Sequence, residues 1–253
     1  MAFEWSAVGT VRVNGVRLGC REAGDPAGQP VVLLHGSGSS ARTWDRFAAR
    51  LTAAGHRAIA VDLRGHASSA RTRDYALASI RDDVLDLLAV RRLREPVLVG
   101  HSVGGYAALA AALAAPDRVA RLVLEDLAAP PRQAGPGPGV SPVRLLAGVV
   151  GILTVRRDYH LRALGTILRQ LTRPDAAWWG RLGEVRQPTL ILSGGATSCI
   201  PPGRLAEAAA AIPGARLATI PVGHRVHSLA PERFAAEVMA FISYPAHDGV
   251  TAS

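Results

Sequence analysis

The sequence predicts an α/β fold. It should hold a mostly parallel sheet of about eight strands with helices on both faces, an N-terminal hairpin and an inserted helical cap. Three observations carry this. From residue 31 to 126, short apolar runs alternate with amphipathic stretches, the pattern of strand–helix–strand units in a parallel sheet. Val97 to Ala115 reads strand, Gly-His-Ser-Val-Gly, helix. That context makes a five-residue pattern specific, because the turn pushes one side chain out above the strand ends. After Asp126 the strand signals stop, and they resume at Pro188 to Leu192.

In chain order, Val8 to Val13 and Val16 to Glu22 flank Asn14-Gly15, the strongest short hairpin signal. Val31 to Leu34 is a buried strand ending in His35-Gly36-Ser37-Gly38-Ser39, and Arg42 to Ala54 has helical spacing closed by Gly55. Ala58 to Val61 is a strand ending in Asp62-Leu63-Arg64-Gly65-His66. Leu77 to Leu93 is an amphipathic helix, with Ile80, Val84, Leu87 and Leu88 inward and Arg81, Asp82 and Asp86 outward. The strand 96–99 and its Ala/Leu-rich helix follow, and that helix stops at Pro116. Arg121 to Glu125 is the next strand, with Asp126 at its C-terminal end.

Pro130 to Pro142 holds five prolines and reads as an irregular hinge. Val143 to Leu182 is helical and unusually apolar, ending near Trp178-Trp179. An insertion of this size departs from the usual short connection and reads as a lid. Residues 1–130 and 185–253 would then form the core, and 131–184 the cap. Arg204 to Ala211 is a helix, Leu217 to Ile220 the last strand, and Pro231 opens a closing helix to about Ile242.

Composition narrows the function. The 253 residues are 49% hydrophobic, enough for one domain with a large core. The net charge of +9 rests on 29 arginines and no lysine, scattered along the chain without a basic stripe. Nucleic acid is therefore not an expected partner. Cys20 and Cys199 form no disulfide framework or metal cluster. The N-terminus lacks a basic region followed by an apolar one, and the apolar run 145–155 is too short to cross a bilayer. A cytoplasmic protein without membrane contact, metal or cofactor is expected, acting on a small molecule.

The apex of the elbow is Ser102. Gly100 and Gly104 remove the Cβ atoms that would collide in so tight a turn. A serine hydroxyl is a weak nucleophile and needs a base beside it. A neutral imidazole suits that task, because its pKa lies near working pH. A carboxylate must in turn orient the imidazole.

The segments HGSGSS at 35–40, DLRGHASS at 62–69, GHSVGG at 100–105 and VGHRVH at 222–227 resemble, in that order, the α/β-hydrolase superfamily. The resemblance covers nearly the whole chain outside the cap. It implies that His224, after Gly223, is the base, in preference to His227. The common family pattern puts an aspartate where this chain has Thr197, and no acid lies between Glu184 and Glu207. Some members instead take the acid from the end of the strand before the cap. That position is Glu125-Asp126, and Asp126 is expected to carry the role, with Glu125 as the alternative because neighbouring strand residues face opposite sides.

The oxyanion donors implied are the backbone N–H groups of Val103 and Ser37. His35, His66 and His101 sit within motifs beside the reacting groups and are expected to make structural hydrogen bonds. Trp178 and Trp179 are expected to line an apolar substrate pocket. The implied activity is hydrolysis of an ester, thioester or lactone-type acyl bond through an acyl-enzyme. A serine at the elbow disfavours the dehalogenase and epoxide hydrolase chemistries of this fold, which use aspartate there. Carbon–carbon bond hydrolysis and acyl transfer use the same triad and stay open, as does a non-catalytic small-molecule binder on the scaffold.

Overall fold

A computed structural model describes residues 3–133 and 159–243. The apolar run 145–155 and most of the expected hinge lie outside these residues. β1 (Ala7–Val13) and β2 (Val16–Ala23) form the antiparallel hairpin. Its turn residues Asn14 and Gly15 both take positive φ, 45° and 73°, as a two-residue hairpin turn requires. β2 pairs antiparallel with β4 (Arg57–Val61). From there β3 (Pro30–Leu34), β5 (Val97–His101), β6 (Arg121–Glu125), β7 (Thr189–Ser193) and β8 (Arg216–Thr219) continue in parallel. The sheet order is β1-β2-β4-β3-β5-β6-β7-β8.

Among the described residues the helices are α1 (Asp45–Ala53), α2 (Leu77–Val90), α3 (Val103–Ala114), α4 (Leu161–Leu171), α5 (Ala176–Gly180), α6 (Pro202–Ala211), α7 (Val226–Leu229) and α8 (Pro231–Ser243). The single helix expected from Arg42 begins instead with a 3₁₀ turn at Ala41–Trp44. α2 stops short of Leu93 because Arg92 turns to φ 51°. The short α7, just after Gly223-His224, has too little sequence to show a helical period.

The central strands are apolar at successive positions because both faces are covered. Val31, Leu33, Val97, Val99 and Val123 pack in one cluster with Trp44, Phe47 and Leu51 before and within α1, and with Phe234 and Val238 of α8. The alternate residues Val32, Leu34, Leu98, Leu122 and Leu124 pack in the other, with Ile80 and Leu87 of α2 and Ala108 and Leu109 of α3. Ala163, Ile167 and Leu171 of α4 and Leu205 of α6 belong to this second cluster. The period-two alternation thus runs up to the strand ends, where the chemistry-bearing residues begin.

Candidate active site

β5 delivers Ser102 to the C-terminal edge of the sheet, as the residue before α3. Its backbone sits at φ 53°, ψ −114°, in the left-handed half of conformational space that a side chain rarely occupies. The flanking glycines explain how the turn closes. A Cβ on Gly100 would lie 2.3 Å from the Gly104 carbonyl oxygen, and one on Gly104 would lie 2.2 Å from the Leu34 carbonyl oxygen. The Ser102 N–H donates to the Glu125 carbonyl at 2.9 Å, so the elbow is tied to the end of β6.

β6 ends at Glu125, and the chain turns at Asp126, φ 44°. Asp126 and His224 meet: His224 Nδ1 lies 2.8 Å from Asp126 Oδ2. The carboxylate is fully buried, whereas the His224 side chain keeps 29% of its exposure. Two further donors complete the carboxylate shell. The Gly194 N–H donates to Oδ1 at 2.8 Å, and the Ser198 hydroxyl donates to Oδ2.

Glu125 faces the other way. It follows Val123 by two, and so shares the face of α1 and α8. There it accepts from the His227 backbone N–H at 2.9 Å and from His227 Nδ1 at 2.7 Å. His227 Nε2 pairs with Thr43 Oγ1 at 2.6 Å, and the ring lies against Trp44 at 4.4 Å between centroids. The two adjacent acids thus hold two histidines of one loop in two different environments.

Burial pulls the His224 proton affinity down, but the bond to Asp126 and the neighbouring Cys199 side chain outweigh it, and the pKa is pushed up to about 10. The three motif histidines behave oppositely. His35 Nε2 accepts from the Leu63 N–H at 2.9 Å, so its Nδ1–H donates to the Gly36 carbonyl at 2.7 Å. His66 Nε2 accepts from the Gly38 N–H at 3.2 Å, and Nδ1 faces the Arg64 carbonyl. His101 Nε2 donates to the His224 carbonyl at 2.8 Å. Burial lowers all three, His66 to about 3, so they serve as neutral hydrogen-bonding groups. They brace the loop that carries Ser37 and the loop that carries His224.

Val103 opens α3, where a first-turn N–H has no partner within the helix. Ser37 lies in the turn that the Ser39 N–H closes onto the Gly36 carbonyl. A Cβ on Gly36 would lie 3.3 Å from Ser102 Cβ, which puts this turn beside the elbow. Trp178 and Trp179 are buried. Trp178 stacks on Tyr106 with ring centroids 6.0 Å apart, and Trp179 Nε1 donates to the Pro130 carbonyl at 2.9 Å. With Leu77, Arg81, Tyr106 and Leu113, Trp178 lines a groove between α2, α3 and α5 that Ser102 and His224 do not line. Thr197 is exposed, with its hydroxyl facing Gly223.

Sequence reasoning missed Ser198. The signal for it was a loop after β7 that lacks an acid yet offers small hydroxyl residues. It also missed the buried Arg64–Asp83 pair, bidentate at 2.6 and 2.5 Å, which fastens the 62–69 loop to α2.

A family model described as the alpha/beta hydrolase family matches residues 31–237. The sn-1-specific diacylglycerol lipase ABHD11 of Mus musculus is 28% identical over 87% of this chain and 83% of that protein. A 2-hydroxy-6-oxononadienedioate/2-hydroxy-6-oxononatrienedioate hydrolase of Cupriavidus pinatubonensis is 39% identical, over 43% of this chain and 39% of its own length. The chain spans about a third of several other curated relatives it matches. Among solved structures, an esterase from Exiguobacterium antarcticum superposes with a TM-score of 0.81 at 22% identity, covering 93% of this chain and 99% of that one.

Proposed function

Because the chain belongs to the α/β hydrolase family, we propose that it is a serine hydrolase working through Ser102, His224 and Asp126. In this reading Asp126 engages His224 Nδ1 and leaves Nε2 to take the Ser102 proton. The Ser102 oxygen attacks the acyl carbon, and the backbone N–H groups of Val103 and Ser37 receive the developing oxyanion. The imidazolium then returns the proton to the leaving group, and water, deprotonated by the same ring, releases the acyl-enzyme. No cofactor or metal is required by these steps. The observation that carries the reading is the 2.8 Å contact between His224 Nδ1 and the buried Asp126 carboxylate, at the edge where the elbow presents Ser102.

The substrate is a small to medium apolar ester, thioester or lactone. The lipase relative and the esterase-like fold support this class. Residues 131–184 act as a lid, with α4 and α5 forming its described part. A second reading, carbon–carbon bond hydrolysis on the same residues, draws on the Cupriavidus relative. Covalent labelling by a fluorophosphonate tests the nucleophile: wild type should label and Ser102→Ala should not. Labelling that survives the substitution rejects the reading. Rates on p-nitrophenyl esters of graded chain length, set against ring-cleavage diketones, separate the two substrate classes.

A further inference from the structure

The Asp126 carboxylate is gripped from the loop after β7, and this grip has a specific consequence. Ser198 is 2% exposed, and its hydroxyl donates to Asp126 Oδ2, the same oxygen that His224 Nδ1 contacts. The hydroxyl rotor is fixed from behind, because the Ile200 N–H donates to Ser198 Oγ at 3.1 Å. With that lone pair occupied, the Ser198 proton points at the carboxylate. The loop itself is closed by the Ser198 N–H onto the Gly195 carbonyl at 3.0 Å. Oδ1 is held independently by the Gly194 N–H at 2.8 Å. The carboxylate plane is therefore set by one donor on each oxygen before the imidazole arrives.

We propose that Ser198 is a positioning residue for catalysis, which fixes the Asp126 carboxylate so that Oδ2 meets His224 Nδ1. The inference rests on the triad reading above and deepens it. A hydrogen bond to a charged group in a buried site outweighs an ordinary one. Its removal frees Oδ2 to turn about the Gly194 anchor. It also leaves more carboxylate charge for the imidazole, so His224 keeps its proton to higher pH. The ionisable groups facing His224 are Asp126, Cys199 and His101. Of these, Asp126 is the one that takes a hydrogen bond from the Ser198 hydroxyl, while Cys199 is its neighbour in the chain.

The test is the pH dependence of kcat/KM on a p-nitrophenyl ester for Ser198→Ala, Ser198→Cys and Ser198→Thr, with Asp126→Asn alongside. Ser198→Ala should lower kcat roughly tenfold at little change in KM. It should also move the acidic limb of the profile to higher pH. Ser198→Thr, which keeps the donor, should restore both. Ser198→Cys keeps the volume with a weaker donor, so it should fall between them. It also stands in for the alanine variant if that one does not fold. The His224 Nδ1 proton resonance, read by NMR, should shift with the alanine and cysteine variants and not with threonine. If folded Ser198→Ala or Ser198→Cys keeps the wild-type limb, rate and resonance while Asp126→Asn is inactive, Ser198 is only packing and the inference is wrong. If Asp126→Asn itself is silent, the triad reading falls instead.

Discussion

The two acid–imidazole pairs at the end of β6 are nearly the same chemistry in different surroundings. Asp126–His224 and Glu125–His227 each join a fully buried carboxylate to an Nδ1 at 2.7–2.8 Å. They differ in how fully the imidazole is enclosed. His227 is 1% exposed at its side chain, and Thr43 occupies its Nε2. Trp44 and Phe234 flank its ring. The His224 side chain keeps 29% of its exposure. A pair sealed on every side can only hold structure together, whereas a pair whose ring stays partly exposed can exchange a proton. The sealed pair anchors the stretch of chain that carries His224.

The largest effect that would break this contrast is at the proposed nucleophile. Ser102→Ala removes only a hydroxyl at the sheet edge. Turnover should fall by ~10⁴-fold or more with the melting temperature little changed. A variant retaining more than a tenth of the wild-type rate would remove the reason for calling the open pair catalytic.

The sealed pair should fail the opposite way. His227→Ala strips the imidazole from the buried Glu125 carboxylate and leaves it the backbone N–H of residue 227, and breaking a buried pair costs about 3–5 kcal/mol. Denaturant unfolding should show that loss, while the kcat of the folded fraction falls far less than for a change at His224. Equal stability of the variant and wild type would mean that the pair is dispensable.

Acidity sharpens the contrast further. The His224 pKa is raised, and the base must be neutral, so kcat/KM should climb with pH through a limb above the ordinary histidine value of about 6.5. By linkage, the stability this proton contributes is full below about 6.5 and lost as pH rises toward about 10. A pH–rate profile that is flat above pH 6 would contradict the shift. The smallest effect is expected at Trp178→Ala. In the proposed lid reading this side chain, although its groove is not lined by Ser102 or His224, should alter preference among acyl chain lengths more than the rate on an acetate ester. A uniform change across all chain lengths would instead mark Trp178 as packing against Tyr106.

Much of this was legible in the sequence, because it rests on periodicity and on a turn with few solutions. The strands, the hairpin at Asn14-Gly15 and the elbow all announce themselves that way. Period two also said that Glu125 and Asp126 separate. It did not say which one meets His224. That depends on the positive φ of Asp126, which takes it out of the strand's alternation. The acid-free loop after β7 pointed to a hydroxyl but not to which one: an irregular loop has no period, so Thr197 and Ser198 read alike. Asp83 sits within the inward stripe of α2, and its partner Arg64 lies on a distant loop that local pattern does not reach.

The most direct test of the account is kcat/KM for Asp126→Asn against Glu125→Gln, measured on one ester at one pH with both proteins shown to be folded. The account predicts a loss on the order of 10²–10⁴-fold for Asp126→Asn, through the wrong imidazole tautomer, and a far smaller loss for Glu125→Gln. A nearly silent Asp126→Asn beside an inactive Glu125→Gln would contradict it.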